Sequence, residues 1–577
     1  MQYSIKDVFQ PKLIGTLRNY GTKQFTQDAL AGVIVGIVAI PLAIAFGISS
    51  GVGPTEGLVT AIIAGFLISV FGGSKVQIGG PTGAFIIIIY GIIQQYGITG
   101  LTIATIMAGV LLILMGLTRL GSVIKFVPYP VIVGFTAGIA LTIFSTQMND
   151  FFGMGLSNVP ANFIDKWIFY FQHFTELNWW AFGIGLFSLL ICIFWPIKKI
   201  PGSLAAIVFA TLAVWILKMV MPAESGIAAV QTIGDLYELP HGIPAPHLPQ
   251  MELAEGESFF TMIQNLFPAA FTIAMLGAIE SLLSAMVADG VIGDKHNSNT
   301  ELIAQGIANV VVPFFGGIPA TGAIARTMTN INNGGKTPVA GIIHAIVLLL
   351  VLLFLGKLVG MIPMSCLAAV LIMVAYNMSG WRTIAGMAKH PSREFAVLVV
   401  TFVLTVIFDL TIAIEVGLLL AMVLFLARTA QSTQIRTFQG EIDPNEDSDV
   451  QLNLEHLTIP EGVEVYEIDG PYFFGIANRF DDIMGQVSGK FMVRVIRMRK
   501  VPFIDSTAMH NLEMLIDRSH REGTTIVLSG VRPEVAAQLA KFGIDKLINT
   551  DNICPNINEA LGRASKIIAE AKPVVKA

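Results

Sequence analysis

Charge is what this chain has least of. Only 13% of its 577 residues are Asp, Glu, Lys or Arg, about half the roughly 25% of a soluble globular domain. A deficit that large places much of the chain in lipid. Basic excess is missing too. The 35 Lys and Arg against 40 Asp and Glu leave a net charge of −5, which argues against a general nucleic-acid binder. Cysteine is scarce: Cys192, Cys366 and Cys554 lie far apart, with the spacing of neither a disulfide framework nor a zinc site. No nucleophile–base pair or metal-ligand cluster stands out, so an enzyme is not expected and no cofactor or metal is implied.

What is there is apolar: 54% of residues are hydrophobic. A membrane span needs about 20 apolar residues, fewer if the helix is broken. Candidate spans are 29–49, 56–72, 80–95, 100–118, 127–148, 180–196, 202–221, 266–288, 301–316, 320–332, 339–357, 362–379, 395–409 and 411–428. The polar residues 1–28 precede the first, and no small-residue cleavage site follows it, so it reads as a retained helix rather than a leader. Lys75, Arg119 with Lys125, Lys198 with Lys199, Lys295, Lys336, and Arg382 with Lys389 and Arg393 fall in alternate loops. The intervening loop 222–265 holds no Lys or Arg and six carboxylates, Asp235 among them. The positive-inside rule then puts both termini in the cytoplasm. Lys166 and Lys357 break the pattern, on the outer side.

The acidic loop splits the transmembrane region 29–428 into repeats of about 29–221 and 266–428, seven spans each. An odd number per half forces opposite orientations, the logic of an inverted repeat. The third span of each half opens on the same three residues after a Gly/Pro-rich break: Thr82-Gly83-Ala84, followed by Phe85, and Thr321-Gly322-Ala323. Paired broken spans of this kind point to a transporter's substrate site. A buried helix start carries unpaired N–H groups and partial positive charge, and two facing each other suit an anion. The Thr82 and Thr321 hydroxyls would add hydrogen bonds. Helix packing through small residues is the competing account.

Arg326 follows the second motif by about one and a half turns. It would add positive potential to an anion site or pair with a carboxylate. Glu280 lies inside span 266–288, where an ionised carboxylate is expensive and a bound proton is favoured. It would couple protons to anion binding, with Ser284 one turn on along the same face. A fixed ion pair with Arg326 and a sodium site are the alternatives. Gly334-Gly335-Lys336-Thr337 imitates the end of a phosphate-binding loop, but Asn330 stands where that motif needs glycine. With no ATPase motif, an ion gradient, proton first and sodium second, is the expected driving force.

After Arg428 the composition turns polar. A linker is expected at 429–450, then a soluble α/β domain at 451–571, with β-like runs at Val463–Ile468, Phe491–Met498 and Thr525–Leu528 alternating with helical patterns.

The stretches Gly80–Phe85, Ala274–Ser284 and Gly316–Lys336, with Asp28–Val33 and Ala39–Ala43, resemble the SulP sulfate-permease family, the bacterial relatives of solute carrier family 26. Ile468–Phe474 and Pro502–Thr507 resemble a STAS domain. The resemblance implies a polytopic α-helical transporter of the cell (inner) membrane, with about 14 spans in a 7+7 inverted repeat of core and gate domains, elevator-type motion and a cytoplasmic STAS domain. It also implies a homodimer. Carried over by position, Thr82, Gly83, Ala84, Phe85, Thr321, Gly322, Ala323 and Arg326 line the anion site. Ala274–Leu283 and Gly293-Asp294-Lys295-His296 are most similar to the proton-coupled aerobic C4-dicarboxylate transporters, which makes succinate or fumarate the expected substrate. Sulfate or bicarbonate transport, or an anion channel or sensor, are the rivals. Ser506 matches the residue phosphorylated in stand-alone STAS relatives; the alternative is that Asp505 or Ser506 simply caps a helix. A regulatory cytoplasmic partner at this domain also stays open.

Overall fold

The computed structural model describes residues 8–18, 20–122, 128–156, 159–160, 162–197, 201–222, 225–237, 244–247, 259–390, 392–408, 410–438, 440–442, 457–476 and 491–571. Lys125, Lys198, Lys199, most of the acidic loop's carboxylates and residues 443–456 lie outside these. The chain divides into two compact units, Met1–Ala421 and Met422–Ala577.

The first unit is helical. Its principal elements are α1 (Thr22–Ser49), α2 (Pro54–Phe71), β1 (Gly79–Gly80), α3 (Ile86–Leu117), α4 (Tyr129–Thr146), α5 (Trp179–Phe194), α6 (Gly202–Val220) and α7 (Phe259–Ile292). After these come α8 (Ser298–Val311), β2 (Thr321–Gly322), α9 (Ile324–Asn332), α10 (Pro338–Phe354), α11 (Met364–Met378), α12 (Arg393–Ile407) and α13 (Leu410–Ser432). Eight helical stretches among the described residues are long and apolar enough to cross a membrane, and α5 and α10 are shorter apolar helices. The stretch α3 covers both expected spans 80–95 and 100–118, and the two helical segments meet at Gly97, where the backbone leaves the helical region (φ 65°, ψ −167°). Pro41 and Pro268 sit inside α1 and α7 without ending them, as proline can in a membrane helix whose freed groups find other partners.

Packing follows the small residues. Helix α3 lies against α8, α10 against α1 and α2, and α12 against α4. At the α3–α8 crossing, a Cβ on Gly109 would stand 2.8 Å from the Gly306 carbonyl oxygen. Only glycine lets these two backbones approach so closely.

Buried polar groups tie the bundle together. Asp28 is fully buried and accepts hydrogen bonds from Lys336 N–H (2.8 Å), the Thr337 hydroxyl (2.6 Å) and the Tyr20 hydroxyl (2.9 Å). The loop that imitates a phosphate cradle therefore holds a carboxylate of its own chain, at the start of α10, where negative charge is favoured. Glu301, which with Asp289, Asp294 and His296 reads in sequence as a solvated polar loop, is instead fully buried and accepts from Gly73 N–H, Ser74 N–H and Gln305. Beside it Asp289, His296 and Ser298 form a hydrogen-bonded chain, 2.7 Å and 2.9 Å long in its two links. The order of groups is that of a hydrolase triad, but Asp289 lies in the last turn of α7, His296 in the connection and Ser298 at the start of α8, so the chain joins α7 to α8.

In the second unit, β3 (Gln434–Phe438), β4 (Val463–Asp469), β5 (Val493–Lys500), α14 (Ser506–Arg521), β6 (Thr525–Ser529), α15 (Pro533–Phe542), β7 (Ile553–Cys554) and α16 (Ile557–Ala571) build a five-stranded sheet in sequential order. Strand β3 pairs antiparallel with β4 and the others are parallel. Two corrections follow. Helix α13 runs on to Ser432, and the expected linker 429–450 already contains strand β3. The acidic run that suggested a linker begins only after that strand has paired. Val465, Val495 and Val527 face one core, and Tyr466, Ile496 and Leu528 the other, as a parallel sheet buried on both faces requires.

Candidate anion-binding site

The two Thr-Gly-Ala motifs meet. Strands β1 and β2 form a short antiparallel ladder in which Gly79 opposes Gly322 and Gly80 opposes Thr321. Ala323 N–H extends it by donating to the Ile78 carbonyl at 2.9 Å. Each strand then turns into a helix. Thr82 is the N-cap of a 3-10 turn, Gly83–Phe85, that runs into α3, and Ala323 is the N-cap of α9. Neither start carries a side-chain cap. The starts of α5, α8, α10 and α12 are capped by Asn178, Asn297, Thr337 and Ser392, whereas those of α1, α2, α4, α6 and α11 also lack a side-chain cap. What sets the two motifs apart is that the ladder pairs their starts. The two broken helices thus bring uncapped N–H groups to one place, which is the electrostatic setting for an anion.

The side chains fall differently from the simplest expectation. The Thr82 hydroxyl is half-buried and donates to Glu280 Oε2 at 2.9 Å. The Thr321 hydroxyl is fully buried and donates to the Gly277 carbonyl at 2.8 Å. Both therefore tie their motifs to α7, and neither hydroxyl caps the helix start that follows it. Ser284 does not bond to Glu280. Its hydroxyl meets Thr327 Oγ1 at 3.2 Å, and Thr327 in turn accepts from Ile78 N–H at 3.1 Å. Ser284 supports the ladder instead. Phe85 is 1% exposed, in the apolar core; its ring packs against Gly277.

Arg326 is 2% exposed and donates through Nη2 to the Pro81 carbonyl at 2.8 Å, while Nη1 has no hydrogen-bond partner among the described residues. It does not pair with Glu280, so the fixed ion pair is not what the structure contains. Gly80 makes room for it. With φ at +154°, a Cβ there would collide with Arg326 Nη1. Ile324 and Ala325, the first residues of α9, are exposed beside half-buried Thr82, Ala323 and Glu280.

Four supporting residues were not singled out from the sequence. Asn309 accepts from Ala320 N–H (2.9 Å) and donates to the Ala320 carbonyl (2.8 Å). Thr60 accepts from Ile318 N–H at 2.7 Å, and Gln77 donates to the Ser281 carbonyl at 3.1 Å. Thr327 is the fourth. A polar residue inside an apolar run could have marked Asn309, within 301–316, and Thr60, within 56–72; Gln77 and Thr327 lie in polar or glycine-rich stretches and carry no such signal. No group of three or more His, Cys, Asp or Glu able to hold a metal is found among the described residues. In the second unit, Asp505 is the cap expected of it or its neighbour, accepting from Ala508 N–H at 2.8 Å. Ser506 follows as the exposed first residue of α14.

Comparison with known proteins gives this arrangement a family. A model described as Sulfate permease family matches residues 25–401, and one described as STAS domain matches 456–560. YvdB of Bacillus subtilis (strain 168), which carries a provisional sulfate-transporter name, is 40% identical over 552 residues, 95% of this chain and 99% of its own. Bicarbonate transporter BicA of Picosynechococcus sp. is 29% identical over 567 residues, 93% of this chain and 94% of its own. The solved structure of murine Solute Carrier 26 family member A9, an anion transporter in the inward-facing state, matches with a TM-score of 0.84. Its identity is 19%, over 98% of this chain and 96% of that one, so it speaks to the fold alone. The chain belongs to the sulfate permease family of membrane anion transporters and carries a STAS domain at its C-terminal end.

Proposed function

We propose that the protein is a secondary active transporter that takes up a small anion with protons across the cell membrane, binding the anion between the starts of α3 and α9. The observation that carries this reading is the β1–β2 ladder, which brings two uncapped helix starts together within reach of a single carboxylate through Thr82. Backbone N–H groups of Gly83, Ala84, Ile324 and Ala325 would contact the anion. Arg326, behind the ladder, supplies positive potential without touching it. Glu280 is the proton carrier. When it holds a proton, a negative charge next to the anion disappears; when it releases the proton, the anion is expelled. Binding of anion and proton are thereby coupled in one pocket.

Sulfate and bicarbonate stand first as substrates, because relatives matching nearly the whole chain carry those names. A C4-dicarboxylate rests only on the resemblance of Ala274–Leu283 and the following loop, and stays the second arm of the test. Movement of the site as an elevator, cytoplasmic termini and a homodimer belong to this proposal as well, as does regulation through the STAS domain.

The deciding experiment is counterflow in proteoliposomes with labelled sulfate, bicarbonate and succinate, with and without a pH gradient. Uptake of one of them, accelerated by an inward proton gradient, is expected. Anion current without proton movement would make the protein a channel, and dependence on sodium alone would remove the proton from the mechanism.

A further inference from the structure

Lys357 is one of two lysines that break the basic-inside pattern of the loops, and the anion site has no use for it. In the structure it lines a cavity of about 660 Å³ that no residue of either Thr-Gly-Ala motif lines. The cavity is formed by the end of α6 (Trp215, Lys218), the short helix Ile233–Leu236 with its flanking residues Thr232 and Tyr237, and the short helix Gly356–Gly360 that follows α10. Its volume is that of a small-molecule pocket.

Its charge is not balanced. Lys218 Nζ lies 3.7 Å from Asp235. That carboxylate is already engaged, accepting from both the N–H and the hydroxyl of Thr232 at 2.8 Å each. These bonds, together with Lys218, outweigh the effect of burial and hold the Asp235 carboxyl below its usual range. Lys357 is exposed and has no ion-pair partner among the described residues. Among the described residues, two lysines against one committed carboxylate give the cavity lining a net positive charge.

The segments that supply the two lysines are apolar on their exposed side. The lining residue Trp215 is 45% exposed, and Met219 (69%), next to Lys218, and Phe354 (76%) and Leu358 (60%), on the segment that carries Lys357, are exposed as well. Large apolar side chains left uncovered at the end of a membrane helix face hydrocarbon, and tryptophan at that level is a mark of the headgroup region. A soluble anion would use the lysines and leave these apolar side chains bare. A molecule with an anionic head and acyl tails uses both.

We propose that this cavity holds the phosphate headgroup of an anionic phospholipid, clasped between Lys218 and Lys357, with its acyl chains along α6 and α10. The lipid would link α6 of the first repeat to the helix that ends α10 of the second. It does not depend on the anion site, and either reading can fail without the other.

The test uses the full-length protein purified in mild detergent, with lipid retention measured by native mass spectrometry after exchange against phosphatidylglycerol or phosphatidylcholine. Preferential retention of phosphatidylglycerol is expected. Lys218→Ala with Lys357→Ala lowers that retention by roughly fivefold per lysine, and the double arginine variant keeps it. Should the double alanine variant fold poorly by size exclusion, Lys357→Ala alone, an exposed substitution, carries the test with half the effect. Equal retention of the two lipids, or unchanged retention in the alanine variants, overturns the proposal. Displacement of the lipid by excess inorganic phosphate also overturns it, and assigns the cavity to a soluble anion.

Discussion

Replacing Glu280 by glutamine separates charge from shape at the proposed anion site. Glutamine keeps the length of the side chain and an oxygen that can accept the Thr82 hydroxyl now held at 2.9 Å by Glu280 Oε2. The local hydrogen bond changes by about 1 kcal/mol, the difference between a charged and a neutral acceptor. The charge matters more. An anion touching the N–H groups next to Thr82 would lie one hydrogen bond beyond that hydroxyl, roughly 6 Å from the carboxylate. With an effective dielectric constant of about 20, two negative charges at that separation repel by about 3 kcal/mol, or a factor of roughly 100 in affinity. Glu280→Gln removes that repulsion permanently. Anion binding at alkaline pH should therefore tighten by up to roughly 100-fold, and lose its dependence on pH. Counterflow should survive while an inward proton gradient no longer speeds uptake. Binding is read by scintillation proximity on purified protein and coupling by uptake into proteoliposomes at matched and unmatched pH. A variant whose uptake still responds to the gradient like the parent would refute the coupling role of Glu280, whatever its affinity.

Other substitutions test the frame around that site. Asn309→Leu leaves the N–H and carbonyl of Ala320 without their buried partners; at about 1–3 kcal/mol for each group, a large drop in thermal stability is expected, and uptake should fall because Thr321 is no longer held. An unchanged melting curve would show that the two bonds are dispensable. Gly80→Ala puts a Cβ against Arg326 Nη1 at a φ of +154°, costing about 1–3 kcal/mol in strain, and should release the guanidinium from Pro81; the readouts are melting temperature and uptake, and parental values for both would refute it. At the Lys75–Asp294 pair (2.7 Å), the lysine's hydrogen bond holds the Asp294 carboxyl below its usual range. A lowered folded pKa means that the contribution is present above about pH 4, the unfolded value, and lost as pH falls through the folded one. Both partners are about a third exposed, so Lys75→Met should cost less than about 1 kcal/mol at neutral pH and nothing in strong acid, as thermal melts at the two pH values would report.

The sequence made the membrane helices, the two broken spans and the α/β tail legible because each leaves a local trace: an apolar run, a Gly/Pro break, a change of composition. It singled out Glu280 because a carboxylate inside an apolar span is expensive, and the structure brings that residue to Thr82. It could not place the hydroxyls. Thr82 and Thr321 look alike in their motifs, yet one reaches Glu280 and the other the Gly277 carbonyl, since the antiparallel ladder presents them to different turns of α7. Such a choice is made by register between segments more than two hundred residues apart, which no local pattern carries. The same holds for Ser284. Its spacing from Glu280 is right for one face of a helix, but α9 lies against α7 there and Thr327 takes the hydroxyl. Glu301 shows the reverse error. A charged residue near a loop reads as solvated, yet Glu301, like Asp28, is fully buried, and each is satisfied by backbone N–H groups of a loop between helices. In a chain with so little charge, a carboxylate at a span boundary is thus better read as the cap of a neighbouring segment than as surface. Glu280 is the exception that supports the reading. The hydrogen bond it accepts comes from a half-buried hydroxyl beside the exposed start of α9, and no backbone N–H fixes its charge. A carboxylate held by several N–H groups stays ionised; one held by a single hydroxyl lacks that constraint, which is the ground for proposing Glu280 as the proton carrier.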